Sequence, residues 1–174
     1  MDALTTRKTE TLTTAGVVSD LMQLVTFKLG NEEYAVDILK VQEINRMKEI
    51  TRVPNTPAYV EGVINLRGKV IPVINLRTKF GLENRENDAQ SRIMIMDVQG
   101  ITMGLVVDAV SEVLRVPSNI IEPTPPMASN ISTEYLKGIA KLEDRLIILL
   151  DMDMLVGKQE ETTVIAAAIK KIEQ

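Results

Sequence analysis

Hydrophobic and polar positions alternate with a period of two over most of the chain. Val25, Phe27 and Leu29 are separated by Thr26 and Lys28, the spacing of a strand with one buried face. SRIMIMDV and ITMGLVV flank Gln99-Gly100, and VINL and KVIPVINL flank Arg67-Gly68. Each arrangement predicts two antiparallel strands joined by a two-residue turn. Pro72 has no backbone N–H to donate, so its strand is expected at a sheet edge or with a bulge. Strand-like segments run from about Met22 to Leu150. The ends differ. Residues 1–20 are rich in Thr and are expected to form a flexible tail. Over 159–174 the period changes, and Ile165, Ala168, Ile169 and Ile172 fall on one helical face. Glu160 and Glu161 precede this segment and Lys170 and Lys171 end it, matching a helix dipole. A C-terminal helix docked on its own domain is the expectation, with a partner-binding helix as the alternative.

The chain repeats itself. GVINLRGKVIPVINLRTKFG, starting at Gly62, aligns without a gap with GIAKLEDRLIILLDMDMLVG, starting at Gly138. Gly62 matches Gly138, Leu66 matches Leu142, Ile71 matches Ile147, and upstream Tyr59 matches Tyr135. VDILKVQEINR from Val36 matches VDAVSEVLR from Val107 if two residues are deleted, which places Asp37 against Asp108 and Glu43 against Glu112. The domain thus spans 21–158, with a first repeat over about 22–88 and a second over about 89–157. One such unit has a marginal core alone; two that share apolar surface do not.

Composition narrows the chemistry. The 174 residues contain no Cys and no His, which excludes disulfides, thiolate zinc sites, Cys nucleophiles and Ser-His triads. Asp151 and Asp153 are the best candidates for an enzyme or metal site, and their repeat partners are Asn75 and Arg77. They are better explained as acids at a helix start. No phosphate-binding glycine motif occurs, and no cofactor is expected. A net charge of −4, with no Trp, argues against an oligonucleotide-binding barrel. No apolar stretch approaches the ~20 residues needed to span a bilayer, so a cytoplasmic protein is expected.

GNEEYAVDILKVQEINR, TPAYVEGVINLRGKVIPVINLR, MGLVVDAVSEVLRV and STEYLKGI, taken together, resemble the signature stretches of the CheW family of bacterial chemotaxis coupling proteins. The resemblance covers about Met22 to Gly157. It implies a mainly β fold of two intertwined five-stranded SH3-like barrels with short helices. It also implies a non-catalytic adaptor that bridges chemoreceptors (methyl-accepting chemotaxis proteins) and the regulatory domain of the histidine kinase CheA, recruited to membrane-associated receptor arrays.

The candidate contacts divide by partner. For the receptor they are Val41, Glu43, Ile44, Gly62, Arg67, Val110 and Val113. Arg67 stands out because the second repeat has Glu143 there, so the fold does not demand the Arg. Gly62 recurs as Gly138 and has mainly a structural explanation. The resemblance implies that Glu43 lies near Arg67 and can pair with it. Val41, Ile44, Val110 and Val113 are either core or the lining of a groove between the halves, suited to a helix. For the kinase they are Ile121, Glu122 and Met127, in a Pro-rich loop that only the second repeat carries. Asp37 and Asp108 are expected to turn the chain after a strand.

Overall fold

A computed structural model describes residues 21–123 and 133–156. The predicted tail 1–20, Met127 and the predicted helix 159–174 lie outside the described residues. The first repeat supplies β1 (Leu21–Leu29), β2 (Glu32–Asp37), β3 (Val41–Arg46), β4 (Val60–Leu66) and β5 (Lys69–Asn75). The second supplies β6 (Arg92–Val98), β7 (Ile101–Val107), β8 (Ala109–Pro117), β9 (Ile121–Glu122), β10 (Leu136–Leu142) and β11 (Arg145–Leu150). Short helices α1 (Leu76–Lys79) and α2 (Met152–Val156) follow β5 and β11. Both expected two-residue turns form. Arg67 and Gly68 have φ 51° and 86°, and Gln99 and Gly100 have φ 53° and 78°. Positive φ at both central positions is the I′ geometry, whose twist matches that of the strands it joins.

The repeats exchange strands. One sheet has the order β8-β1-β2-β11-β10-β9, the other β3-β6-β7-β5-β4. Each therefore combines the first two strands of one repeat with the later strands of the other. A single constant offset relates them: Leu29 occupies the place of Val98, Ala35 that of Gly104 and Val41 that of Val110. The deletion expected after the VD dipeptides does not exist. Asp37 and Asp108 are not counterparts, and they do different work. Asp37 accepts a 2.9 Å hydrogen bond from the Leu39 N–H and caps the 3-10 turn Ile38–Lys40.

Neither sheet is hydrogen-bonded into a closed cylinder, which qualifies the barrel expectation. Each curls until the chain leaving one edge strand crosses to the other edge. After β3, Thr51 exchanges bonds of 2.8 and 2.9 Å with Val63 of β4. After β8, β9 pairs with β10. The glycines shared by the repeats lie beneath these seams. A Cβ on Gly62 would stand 2.1 Å from the Thr51 carbonyl oxygen, and one on Gly138 would stand 2.6 Å from that of Glu122.

Three apolar clusters result. Ile64, Leu66, Ile71, Val73, Ile93, Ile95 and Val106 fill the five-stranded sheet. Leu24, Ala35, Val116, Ala140, Ile147 and Leu149 fill the six-stranded one. The largest cluster lies between them, with Val25, Phe27 and Val36 from one sheet and Met94, Met96 and Leu105 from the other. β1 is therefore buried on both faces, not one. Thr26 is fully buried, and its hydroxyl donates to the Glu112 carbonyl at 3.2 Å and accepts from the Glu112 N–H at 3.1 Å. β5 is an interior strand, contrary to the edge expected from Pro72. Pro72 is accommodated because pairing with β7 begins only at Val73.

A largely buried ion pair ties the repeats together. Asp108 receives Arg77 Nε at 2.9 Å and Nη2 at 2.6 Å, with Arg85 Nη1 at 3.4 Å and the Gly30 N–H at 2.8 Å. The Arg77 and Asp108 side chains are only 14% and 13% exposed. Burial raises the Asp108 pKa, but the bonds from Arg77 and Gly30 and the charges of Arg77 and Arg85 outweigh it, so the pKa falls below the usual carboxylate value.

Two outcomes follow for stability. Gly62→Ala must displace the Thr51 backbone and hold a side chain at φ 153°. It is expected to cost about 2–5 kcal/mol and to lower Tm by about 6–15 °C. Gly68→Ala, with open space around its Cβ, should cost about 1 kcal/mol. Calorimetric melting of the two variants checks this. Asp108→Asn leaves Arg77 largely buried without its counter-ion, at about 2–4 kcal/mol near pH 7. Because the folded pKa is depressed, this stabilisation is present above the unfolded value of about 3.9 and is lost as pH falls through the folded value. Urea denaturation should separate wild type from Asp108→Asn at pH 7, and the gap should narrow as pH falls below the unfolded value of about 3.9.

Candidate protein-docking site

β3 and β8 are equivalent edge strands of the two sheets. Each carries a bulge, at Gln42 and at Ser111. After the bulge Ile44 faces Met94 and Val113 faces Val25; before it Val41 faces Met96 and Val110 faces Phe27. Residues directly opposite share a face, and all four partners belong to the core between the sheets. The four predicted apolar residues therefore lie on inner faces, but they are not alike. Val41 and Val110 pack half-buried against that core. Ile44 and Val113 are 40% and 55% exposed, because no further strand covers an edge. Core accounts for Val41 and Val110, while Ile44 and Val113 stay open to solvent. The outer pair, one on each edge strand, is an exposed apolar rim and a docking candidate.

Arg67 is held on the other face of β3, where Glu43 lies opposite Ile95. Its αL backbone in the I′ turn is secured by the Gly68 N–H, which donates to Asn65 Oδ1 at 2.9 Å. The guanidinium donates twice to Glu43, at 2.6 Å to Oε2 and 3.3 Å to Oε1. Asn45 Nδ2 donates to the same Oε1 at 2.8 Å. The bonds from Arg67 and Asn45 hold the Glu43 pKa below its usual value, and Glu43 raises that of Arg67. The Arg67 side chain is 70% exposed, so the pair orients a charge more than it stabilises the fold. Residues Glu143 and Asp144 of the equivalent turn lack positive φ. Their presence therefore does not by itself show that Glu fits the Arg67 conformation.

Sequence reasoning missed the second pair. Arg145, two residues beyond the counterpart of Arg67, donates to Glu112, the counterpart of Glu43, and pairs with Glu33 Oε1 at 3.6 Å. The recurrence of Glu43 as Glu112 was the available signal: each barrel ties its last hairpin to its edge strand through a Glu–Arg bond. Asn45, which shares Glu43 with Arg67, had no sequence signal.

Other candidates move. Gly62 is buried under Thr51 and is not available to a partner. Ile121 is half-buried against the core of the six-stranded sheet, where it holds the seam. Glu122 is exposed and pairs with Lys141 at 3.2 Å. Asp151 caps α2, accepting from the Met154 N–H at 3.1 Å, as Asn75 caps α1 by accepting from the Thr78 N–H at the same distance. Asp153 pairs with Lys40 at 3.5 Å. Among the described residues no group of acids is arranged to hold a metal ion.

Comparisons with known proteins agree with this architecture. Residues 23–160 match the model of the CheW-like domain. The chain is 41% identical over 138 residues to the chemotaxis protein CheW of Klebsiella aerogenes, covering 79% of this chain and 83% of that protein. It is 37% identical over 139 residues to the chemotaxis protein CheW of Helicobacter pylori, covering 80% and 84%. The crystal structure of the scaffolding protein TtCheW from Thermoanaerobacter tengcongensis superposes with a TM-score of 0.73 at 43% identity, over 79% of this chain and 89% of that one. With the exchanged sheets, the glycine seams and the domain match all coinciding, the chain belongs to the CheW-like family.

Proposed function

We propose that the protein is a non-catalytic chemotaxis adaptor that couples chemoreceptors to the histidine kinase CheA. Membership of a family whose relatives are chemotaxis proteins and whose structural neighbour is a scaffold supports the adaptor role. The observation that carries the receptor assignment is the exposure of Ile44 and Val113 at equivalent positions of the two edge strands, with Arg67 held by Glu43 of the same β3. A receptor tip is a helical hairpin, and a helix with an apolar stripe fits such a trough. Arg is suited to this position because its planar fork can exchange an internal carboxylate for one on the partner. The kinase contact is assigned to the segment from Glu122 through Met127. Without Cys or His the chain lacks the usual nucleophiles and proton shuttles, and Asp151 and Asp153 are engaged in a cap and an ion pair. No helix among the described residues is long and apolar enough to cross a membrane, so recruitment to receptor arrays would proceed through protein contacts.

Ile44→Asp and Val113→Asp place charge where the free protein meets solvent. Each should change folding stability by less than about 1 kcal/mol and weaken binding of a receptor-tip fragment about 10- to 100-fold. Arg67→Glu should weaken the same binding at least about tenfold. Kinase-domain binding should stay unchanged in all three. Calorimetric titration beside thermal melting checks this. Normal receptor affinity in all three variants would remove the rim as the receptor site.

A further inference from the structure

The inner faces of the two edge strands carry charge as well as apolar groups. Side chains two positions apart on a strand share a face, so Arg46 lies beside Ile44 on β3 and Arg115 beside Val113 on β8. Arg46 stands opposite Arg92 and Arg115 opposite Gln23, the same place in each sheet. Both arginines are exposed. Among the described residues neither pairs with a carboxylate, although the chain carries a net charge of −4. The Arg46 position is doubly basic. Arg92 donates through Nη1 to the Ala89 and Ser91 carbonyls at 2.8 Å each, and neither neutralises it. Asp88 lines the same hollow, but Arg85 holds it at 2.7 Å and the Gln90 N–H at 2.8 Å. Like charges directly opposite each other weaken a strand pair. Elsewhere a polar side chain that recurs in both repeats serves the fold: Asn75 and Asp151 cap helices, and Glu43 and Glu112 hold arginines. Arg46 and Arg115 recur without such a task among the described residues.

We propose that Arg46 and Arg115 are binding residues that take carboxylates of the helical partner, set beside its apolar stripe. This names the partner's chemistry for the adaptor reading above and rests on that reading. Two residues of strand advance about 6.6 Å, and four residues of helix advance about 6 Å. A helix lying along either edge strand, with an apolar side chain against Ile44 or Val113, therefore brings the residue four positions away to the neighbouring arginine. That residue is Asp or Glu. The planar guanidinium can donate to both of its oxygens. At β3 the incoming acid also relieves the repulsion between Arg46 and Arg92, so the contact gains in the complex what the free protein lacks. A helix with Lys or Arg at that spacing is rejected at both edges.

Arg46→Glu and Arg115→Glu are titrated separately with a receptor-tip hairpin fragment, and each variant is melted. Each should weaken binding about tenfold or more. Melting should match wild type, or rise slightly for Arg46→Glu, which places an acid opposite Arg92. Lys137→Glu makes the same charge change at an exposed site on β10, an interior strand of its sheet. It should change affinity less than about twofold, which separates a local contact from long-range attraction. A smaller loss for either arginine variant, or an equal loss for Lys137→Glu, would overturn the proposal. If Ile44→Asp and Val113→Asp still weaken the same complex, the rim stands as the receptor site without the arginines. If those two variants also bind normally, the rim itself fails, and the proposal with it.

Discussion

Neither repeat can complete a sheet from its own strands. β1 and β2 pair with β8 and β11, while β6 and β7 pair with β3 and β5. The core between the sheets therefore forms only when both repeats are present. Burying a large apolar side chain contributes roughly 1.5–3 kcal/mol, and a whole domain retains only about 5–15 kcal/mol. Losing Phe27, Leu29, Met94, Met96, Leu105 and Val107 from that core would thus cost as much as the whole net stability. All the other features are placed by this exchange. It makes β3 and β8 the uncovered edges, and it leaves their inner faces beside a shared core.

Exchange imposes near-symmetry, and the charged side chains break it. The structural parts are the ones that repeat: the bulges at Gln42 and Ser111, the glycines under the seams, the caps Asn75 and Asp151, and the Asn75 and Asp151 N–H groups that donate to the Tyr59 and Tyr135 carbonyls at 2.8 Å each. The links between helix and neighbouring repeat have become unlike. On one side Arg77 of α1 reaches Asp108 in a largely buried pair. On the other, Asp153 of α2 reaches Lys40 with charges reversed and both side chains much more exposed. The hairpin turns at Arg67 and Glu143 differ in the same way. The fold needs a hairpin at each place but not a particular charge, and that freedom is what a binding surface can use.

The legible parts of the sequence were those set by local physics. Gln99-Gly100 and Arg67-Gly68 were recognisable because a two-residue hairpin demands positive φ at both positions. The strand pattern and the long repeat were equally visible. The exchange was not derivable from them, because periodicity shows which face of a strand is buried and not which repeat supplies its neighbour. For that reason the alternation in β1 concealed its second buried face at Leu24 and Thr26, and Pro72 suggested an edge for an interior strand. Matching VD dipeptides drew Asp37 and Asp108 together although only Asp108 joins the repeats. At the site, Arg67 was legible through its contrast with Glu143. Arg145 was not, because its bond to Glu112 depends on how two distant strands curl. Gly62 and Ile121 were assigned to partners when the seams already account for them.

The central claim is that edge strands from two different sheets act as one receptor-docking surface. Backbone amide exchange of the full chain, with and without a saturating receptor-tip fragment, tests it most directly. Slower exchange on binding is expected in both β3 and β8. Protection confined to one of these strands, or absent from both while the complex forms, would contradict the account.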